Sequence, residues 1–410
     1  MRNYLLSLLV ALLAVTSSLP VAAQEAYAVL TSNKTLTFYY DNLRATRPNY
    51  EPIYDMPKPG ESPAWVGNES YSQKYIKHAV FDASFAKYRP TSTNSWFAYC
   101  INLQDIEGIR NLNTENVTDM SWMFICCEAL TSLDLSNFNT EKVTNMENMF
   151  HNCETLTSLD VSNFNTQNVT QIGWMFDGCK ALTSLDVSNF NTQNVIYMPC
   201  MFRFCKALTS LNLSNFNTQN VTDMGGMFYG CEALTSLNLS NFKTEKVAGM
   251  IFMFCDCSAL TSLDVSKFNT ENVTNMWSMF SGCSALTSLD LSNFNTQNVT
   301  NMRSMFDGCE SLTTIFCNSN WNVGQYVNDK DMFYDCRHLK GTNTWFNANK
   351  IGIEMANPTT GYFTSKTTGI DNVKTADRAG DGKAYDLSGR RVNESYKGIV
   401  IKNGKKYIQK

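Results

Sequence analysis

Fourteen cysteines, three histidines and a recurring aspartate are the residues of this 410-residue chain equipped to crosslink, bind a metal or move a proton. Cys127, Cys153, Cys179, Cys205, Cys231, Cys257, Cys283, Cys309 and Cys336 follow one another at 26 or 27 residues. That regularity marks one position of a repeated unit, where a small apolar thiol packs well in a column. Stacked units would bring the Cα atoms within bridging range. Pairing neighbours, however, leaves one of nine over and breaks the equivalence of the units, so most of these thiols are expected to be reduced. Cys126, Cys200 and Cys255 lie outside the column and remain candidates for isolated bridges. Structural zinc takes paired Cys-x-x-Cys or Cys and His words, and none recurs here. His78, His151 and His338 share no register and have no recognisable nucleophile or paired acid beside them. No glycine-rich phosphate loop occurs. The chain is therefore expected to be non-catalytic, with no metal and no cofactor; a hydrolase is the remote alternative.

The elements that would position these residues are set by the repeat. Met-Phe recurs at Met123, Met149, Met175, Met201, Met227, Met253, Met279 and Met305, every step 26 residues, with Met332 following after 27 and Trp96-Phe97 preceding by 27. One unit runs from Leu130 to Cys153. Its first part alternates apolar and polar residues, so Leu133 and Leu135 face inward while Ser132, Asp134 and Ser136 face out, as in a half-buried strand. Asn139-Thr140 turns the chain. Val143, Met146, Met149, Phe150 and Cys153 then fall at spacings of three and four, which predicts a short helix with Thr144 as its N-cap. Strand, turn and short helix cannot bury their apolar side alone, but stacked they can. The expectation is an α/β repeat fold: a right-handed solenoid of about ten units with one parallel sheet and short helices, its strands about 4.8 Å apart.

Stacking puts Asp134, Asp160, Asp186, Asn212, Asn238, Asp264 and Asp290 in one outward column. Carboxylates about 5 Å apart repel unless a cation, water or the flanking serines relieve them. Two readings stay open: a solvated polar face, and a strip of these seven residues that binds an extended or repetitive ligand. Calcium fits the column poorly, because it lacks the varied loop oxygens of calcium sites.

Residues 96–345 resemble the leucine-rich repeats, and more closely the BspA-like leucine-rich repeat surface proteins of Bacteroidales and related bacteria. The shared words are Leu-Thr-Ser-Leu-Asp-Leu-Ser, Phe-Asn-Thr, Met-Phe and Cys-x-x-Leu, in eight near-exact copies. The resemblance implies a cell-surface protein engaged in adhesion to a host or bacterial surface protein or a glycan. One departure stands out. Where the general template has an asparagine whose side chain bonds the turn, this chain has Phe138, Phe164, Phe190 and Phe216. A stacked phenylalanine spine is expected to replace the asparagine ladder.

The flanks differ in texture. Arg2, the apolar run 5–15 and Val21-Ala22-Ala23 spell a secretory signal, residues 1–23. The run is too short to span a bilayer comfortably, and no later segment is apolar enough. The mature chain is expected as a secreted or cell-surface monomer without a transmembrane segment. Residues 24–95 read as a β-rich N-terminal cap, with a hairpin around Ser32-Asn33-Lys34 and a strand at His78-Ala-Val-Phe81. Residues 346–368 read as a closing cap and linker. Residues 369–410 carry two hairpin-like stretches, the second around Asn403-Gly404, and resemble the sorting modules of the type IX secretion route of Bacteroidetes. Net charge is −4 overall, with +5 in residues 369–410 and −10 in the body between the signal and that tail. This balance argues against nucleic acid as the partner. A surface spacer with no specific ligand is the alternative to adhesion.

Overall fold

The computed structural model describes residues 23–68, 74–324, 327–366, 383–386, 390–393, 395–402 and 405–409. The proposed signal up to residue 22, the residues following Lys366 that were read as a linker and the Asn403-Gly404 turn lie outside them. Two compact units divide at Thr364 and Ser365.

The first unit opens on the predicted hairpin. β1 (Glu25–Leu30) and β2 (Thr35–Asp41) pair antiparallel with Leu30 opposite Leu36, and Lys34 turns the chain at φ 71°. β3 (Ile53–Asp55) pairs with β1, while β4 (His78–Phe81) runs parallel to β2 and β5 (Asp105–Glu107) parallel to β4. Alternation buries Leu36 and Phe38 of β2 and Ala79 and Phe81 of β4 on one face. Phe38 is the hub of that core, 4.5 Å from the Phe81 ring and 5.7 Å from Trp96. Trp65 meets it edge-on and donates its indole N–H to the Trp96 carbonyl at 2.8 Å. Phe97, next to Trp96, begins the core of the repeats.

The repeats are coils stacked in parallel. Single bridges link Ser92, Asp119, Asn145, Gln171, Tyr197, Asp223, Gly249, Asn275, Asn301 and Asn328 in turn, one per coil. The stretch that follows each bridge corrects the sequence reading. No α-helix occurs among the described residues, and 145–153 is a ribbon of consecutive tight turns. Alternate N–H groups close those turns within the coil: Met149 bonds the Met146 carbonyl, His151 that of Asn148 and Cys153 that of Phe150, at 3.1–3.3 Å. The residues between them, Met146, Asn148, Phe150 and Asn152, donate instead to the next coil, to Gln171, Gly173, Met175 and Asp177, at 2.7–3.0 Å. Reaching both acceptors requires left-handed backbone at Asn148 and Asn152, φ 57° and 56°. Thr144 caps nothing; its N–H and hydroxyl both bond the Thr118 carbonyl of the preceding coil.

The ribbon still turns Met146, Met149, Phe150 and Cys153 inward, all fully buried. Phenylalanines of the Met-Phe pairs stack from Phe97 to Phe333 with centroids 5.3–5.9 Å apart and planes within 2–9°. This is the tight spine. The expected one is buried but looser, with Phe216 and Phe242 6.4 Å apart. Nor does it replace an asparagine ladder. Asn163, one residue before Phe164, donates its amide to the Leu135 and Phe138 carbonyls of the coil before, and Asn189 repeats this on Val161 and Phe164. A buried threonine adds a second ladder. The Thr140 hydroxyl accepts the Asn165 N–H at 2.7 Å and donates to the Asn165 carbonyl at 3.0 Å.

The 130–138 stretch is extended with Leu135 buried and Leu133 partly so, as its alternation requires, but it is not a regular strand. Regular pairing appears only late, where β6 (Ser288–Asp290), β7 (Thr314–Phe316) and β8 (Phe363–Thr364) form a parallel sheet. Tyr362 and Phe363 close the stack; Tyr362 meets Phe333 edge-on at 5.3 Å and donates its hydroxyl to the Lys350 carbonyl at 2.8 Å.

The second unit contains β9 (Ala384–Tyr385), β10 (Arg391–Val392), β11 (Gly398–Lys402) and β12 (Lys405–Gln409). All are antiparallel in the order β10-β9-β11-β12. Both predicted hairpin-like stretches are paired.

Candidate functional site

The aspartate column stands where the alternation puts it. Asp134, Asp160, Asp186, Asn212, Asn238 and Asp264 are exposed and Asp290 is half-buried. Each side chain also has a local task. Its oxygen accepts the N–H of the serine two residues on, from Ser136 through Ser292, at 2.9–3.1 Å. This turn needs an oxygen acceptor and not a charge, which is why asparagine serves equally at 212 and 238. Bonds from the serine hydroxyl and N–H hold the Asp134, Asp160, Asp186 and Asp264 carboxyls below the usual range. They remain charged at neutral pH.

The turn ribbon carries what the aspartate face lacks: side chains that differ from coil to coil. The position after each Met-Phe pair reads Ile125, His151, Asp177, Arg203, Tyr229, Cys255, Ser281 and Asp307. Four half-buried rings on this ribbon touch across successive coils. Phe204 and Tyr229 lie 4.7 Å apart, Tyr229 and Phe252 5.6 Å at 24°, and Phe252 and Trp277 4.7 Å. The Arg203 guanidinium covers Phe204 at 5.4 Å and that of Arg303 covers Trp277 at 5.9 Å. Two rings sit on unfavourable backbone, Phe204 at φ 55° and Phe252 at φ 56°. Left-handed backbone costs an L-residue about 1–2 kcal/mol. Phe204 lies on the next coil's Gly230, where a Cβ would fall 2.5 Å from its ring.

Beside this stack Asp177 is buried, 1% exposed, and accepts from Arg203 Nε on both oxygens at 3.0 Å and from Nη2 at 2.7 Å. His151 Nε2 lies 3.5 Å from the same carboxylate, and its Nδ1 is 2.8 Å from Asn148 Oδ1. Burial holds the His151 imidazole below its ordinary pKa, against the pull of Asp177. The other histidines lie elsewhere: His78 Nδ1 is 2.8 Å from Asp105 and His338 Nδ1 2.7 Å from the Glu310 carbonyl.

Among the described residues, which include all fourteen cysteines, no disulfide is present. The nine in register are buried, each Sγ–H donating to a phenylalanine carbonyl of the preceding coil at 3.0–3.3 Å. Burial pushes the Cys231 and Cys255 thiols up to about 12 and that of Cys200 to about 11. Such thiols are poor nucleophiles.

The sequence reading found the aspartate column and missed the ribbon. The available signal was the letters between the Met-Phe and Cys words, which differ between copies whose other letters agree.

Among the described residues no helix is long and apolar enough to cross a membrane. No curated protein matches the chain. Of solved structures, a leucine-rich repeat protein from Eubacterium ventriosum is similar at 14% identity and a TM-score of 0.36, over 84% of this chain and 92% of that one. Three overlapping matches to one family, at 91–210, 155–262 and 232–346, span more than half of the 410 residues. The chain belongs to that family, described as "Mycoplasma protein of unknown function, DUF285".

Proposed function

We propose that this is an exported, non-catalytic surface protein whose stacked coils form a right-handed, leucine-rich-repeat-like solenoid that binds a protein or glycan on another surface. One observation carries the reading: the letters that hold the coils change little from copy to copy, with Lys267 at the amide position and asparagine at 212 and 238 as departures, yet the ribbon face varies at nearly every coil. In this reading residues 1–23 are a signal peptide, 24–95 an N-terminal cap, 96–345 the solenoid, 346–368 a closing cap and linker, and 369–410 a sorting module. The protein acts as a monomer.

Protein and glycan arrays probed with the purified full chain test the role. Binding to a defined set of spots is expected; silence at low and high salt leaves only the spacer. The column from Asp134 to Asp290 is the second contact surface in this proposal. Binding through it weakens as salt rises, and Asp160→Ser, Asp186→Ser and Asp264→Ser together reduce it. Array binding unchanged by that triple substitution removes the column from the site.

A further inference from the structure

We propose that the continuous stack Arg203–Phe204–Tyr229–Phe252–Trp277–Arg303 is a docking platform for a basic, apolar-studded polypeptide segment of a partner protein; this rests on the interaction role proposed above. The coil itself does not require these rings. At the positions of Phe204, Tyr229 and Phe252 other coils complete the same turns with Gly230, Ser281 and Ser278. The left-handed backbone at Phe204 and Phe252 is the ribbon's own, shared with Asn148, Asn152 and Ser278; what sets this stretch apart is that large rings occupy the ribbon on four successive coils and touch one another. Tryptophan, tyrosine and arginine are also the side chains that carry most of the energy of protein interfaces.

Geometry and charge select the partner. Each ring leans on a neighbour at 4.7–5.6 Å and arginines cover both ends. A sugar stacking on an aromatic needs an open ring face, whereas apolar side chains pack against ring edges as well. Of the cations on the ribbon, Arg203 is paired with Asp177 and Lys206 with Glu232, both at 2.7 Å, while the exposed Arg303 lies against the Trp277 ring. Asp256, which is exposed, and Asp307, which is half-buried, lie on the same ribbon and have no salt bridge among the described residues. Burial holds both carboxyls above the usual range; Glu232 adds to this at Asp256, where a bond from Cys255 and the nearby Lys206 offset it, and Asp331 and Asp335 add to it at Asp307 against a bond from Ser304. An arriving lysine or arginine relieves that repulsion.

The test titrates the full chain with a short labelled peptide alternating lysine and valine, its glutamate–valine counterpart, and a β-linked glucose hexasaccharide. The lysine–valine peptide should bind, less tightly as salt rises. Tyr229→Ser with Phe252→Ser should weaken it about tenfold or more, the scale of losing interface aromatics. Trp277→Arg, which copies Arg303, should weaken it in the same direction, and circular dichroism should match the parent for both variants. The triple serine substitution of the aspartate column should leave this affinity within about twofold. No binding of the lysine–valine peptide, equal binding of the glutamate peptide, preference for the hexasaccharide, or unchanged affinity in both ring variants would overturn the proposal. An array partner that the ring variants still bind overturns the platform while the interaction role stands. Silence toward array and peptide alike overturns both.

Discussion

The extended side and the turn ribbon of one coil repeat with the same period, yet one is nearly invariant and the other varies. The difference lies in what makes the bonds between coils. Along 130–140 much of the stacking is done by side chains: the Asn163 amide spans two carbonyls of the coil before and the Thr140 hydroxyl serves the Asn165 peptide on both sides, while Asp134 closes its own coil's turn on the Ser136 N–H. Those letters cannot change without leaving polar groups unpartnered. Along 145–152 the bonds run from backbone to backbone, and the ribbon asks its side chains only to accept the local φ. Where the backbone does the bonding, side chains are free to serve a partner.

The largest test concerns the core the two sides share. Phe150→Ala, at the centre of the tight spine, is expected to cost about 3–5 kcal/mol in a denaturant melt; a loss below about 1 kcal/mol would deny the spine its role. Thr140→Val keeps the shape but strands the Asn165 N–H and carbonyl, so about 1–3 kcal/mol should be lost on the extended side. Gly230→Ala places a Cβ against Phe204 on left-handed backbone and should cost at least about 1 kcal/mol. Adding Phe204→Gly should recover the collision but not the backbone strain, which a double-mutant cycle reads directly.

Smaller effects separate the sides further. His151 is held below its ordinary pKa by burial, so folding favours the neutral ring. Its contribution is complete above the unfolded value of about 6.5 and is lost as pH falls below it. The melting temperature of the parent should therefore drop more steeply from pH 7 to 5 than that of His151→Ser, a residue the ribbon accepts at Ser281. Identical slopes would mean the ring titrates as if exposed. Asp160→Asn should leave the melting temperature unchanged, because asparagine makes the same turn at 212 and 238. A clear loss there would show that the column's charge, and not its oxygen, holds the extended side.

By itself the sequence determined what depends on local pattern. The 26-residue period, the inward leucines and Met-Phe pairs, the outward aspartates and the hairpin at Ser32–Lys34 were all legible, since alternation and turn residues act over a few positions. Tertiary structure decided which partner each backbone group found. Met146, Met149, Phe150 and Cys153 are spaced for a helix, but the same spacing suits a ribbon of turns, and only a neighbouring coil offers the acceptors that make the ribbon win. The extended stretch likewise becomes regular sheet only at β6 and β7, where adjacent backbones bond each other. Arg203 and Tyr229 share one position of the repeat and Trp277 and Arg303 another, while Phe204 and Phe252 hold two more, so no single column of the sequence aligns all six. They meet because stacking converts a separation of 23 to 26 residues into one coil's spacing.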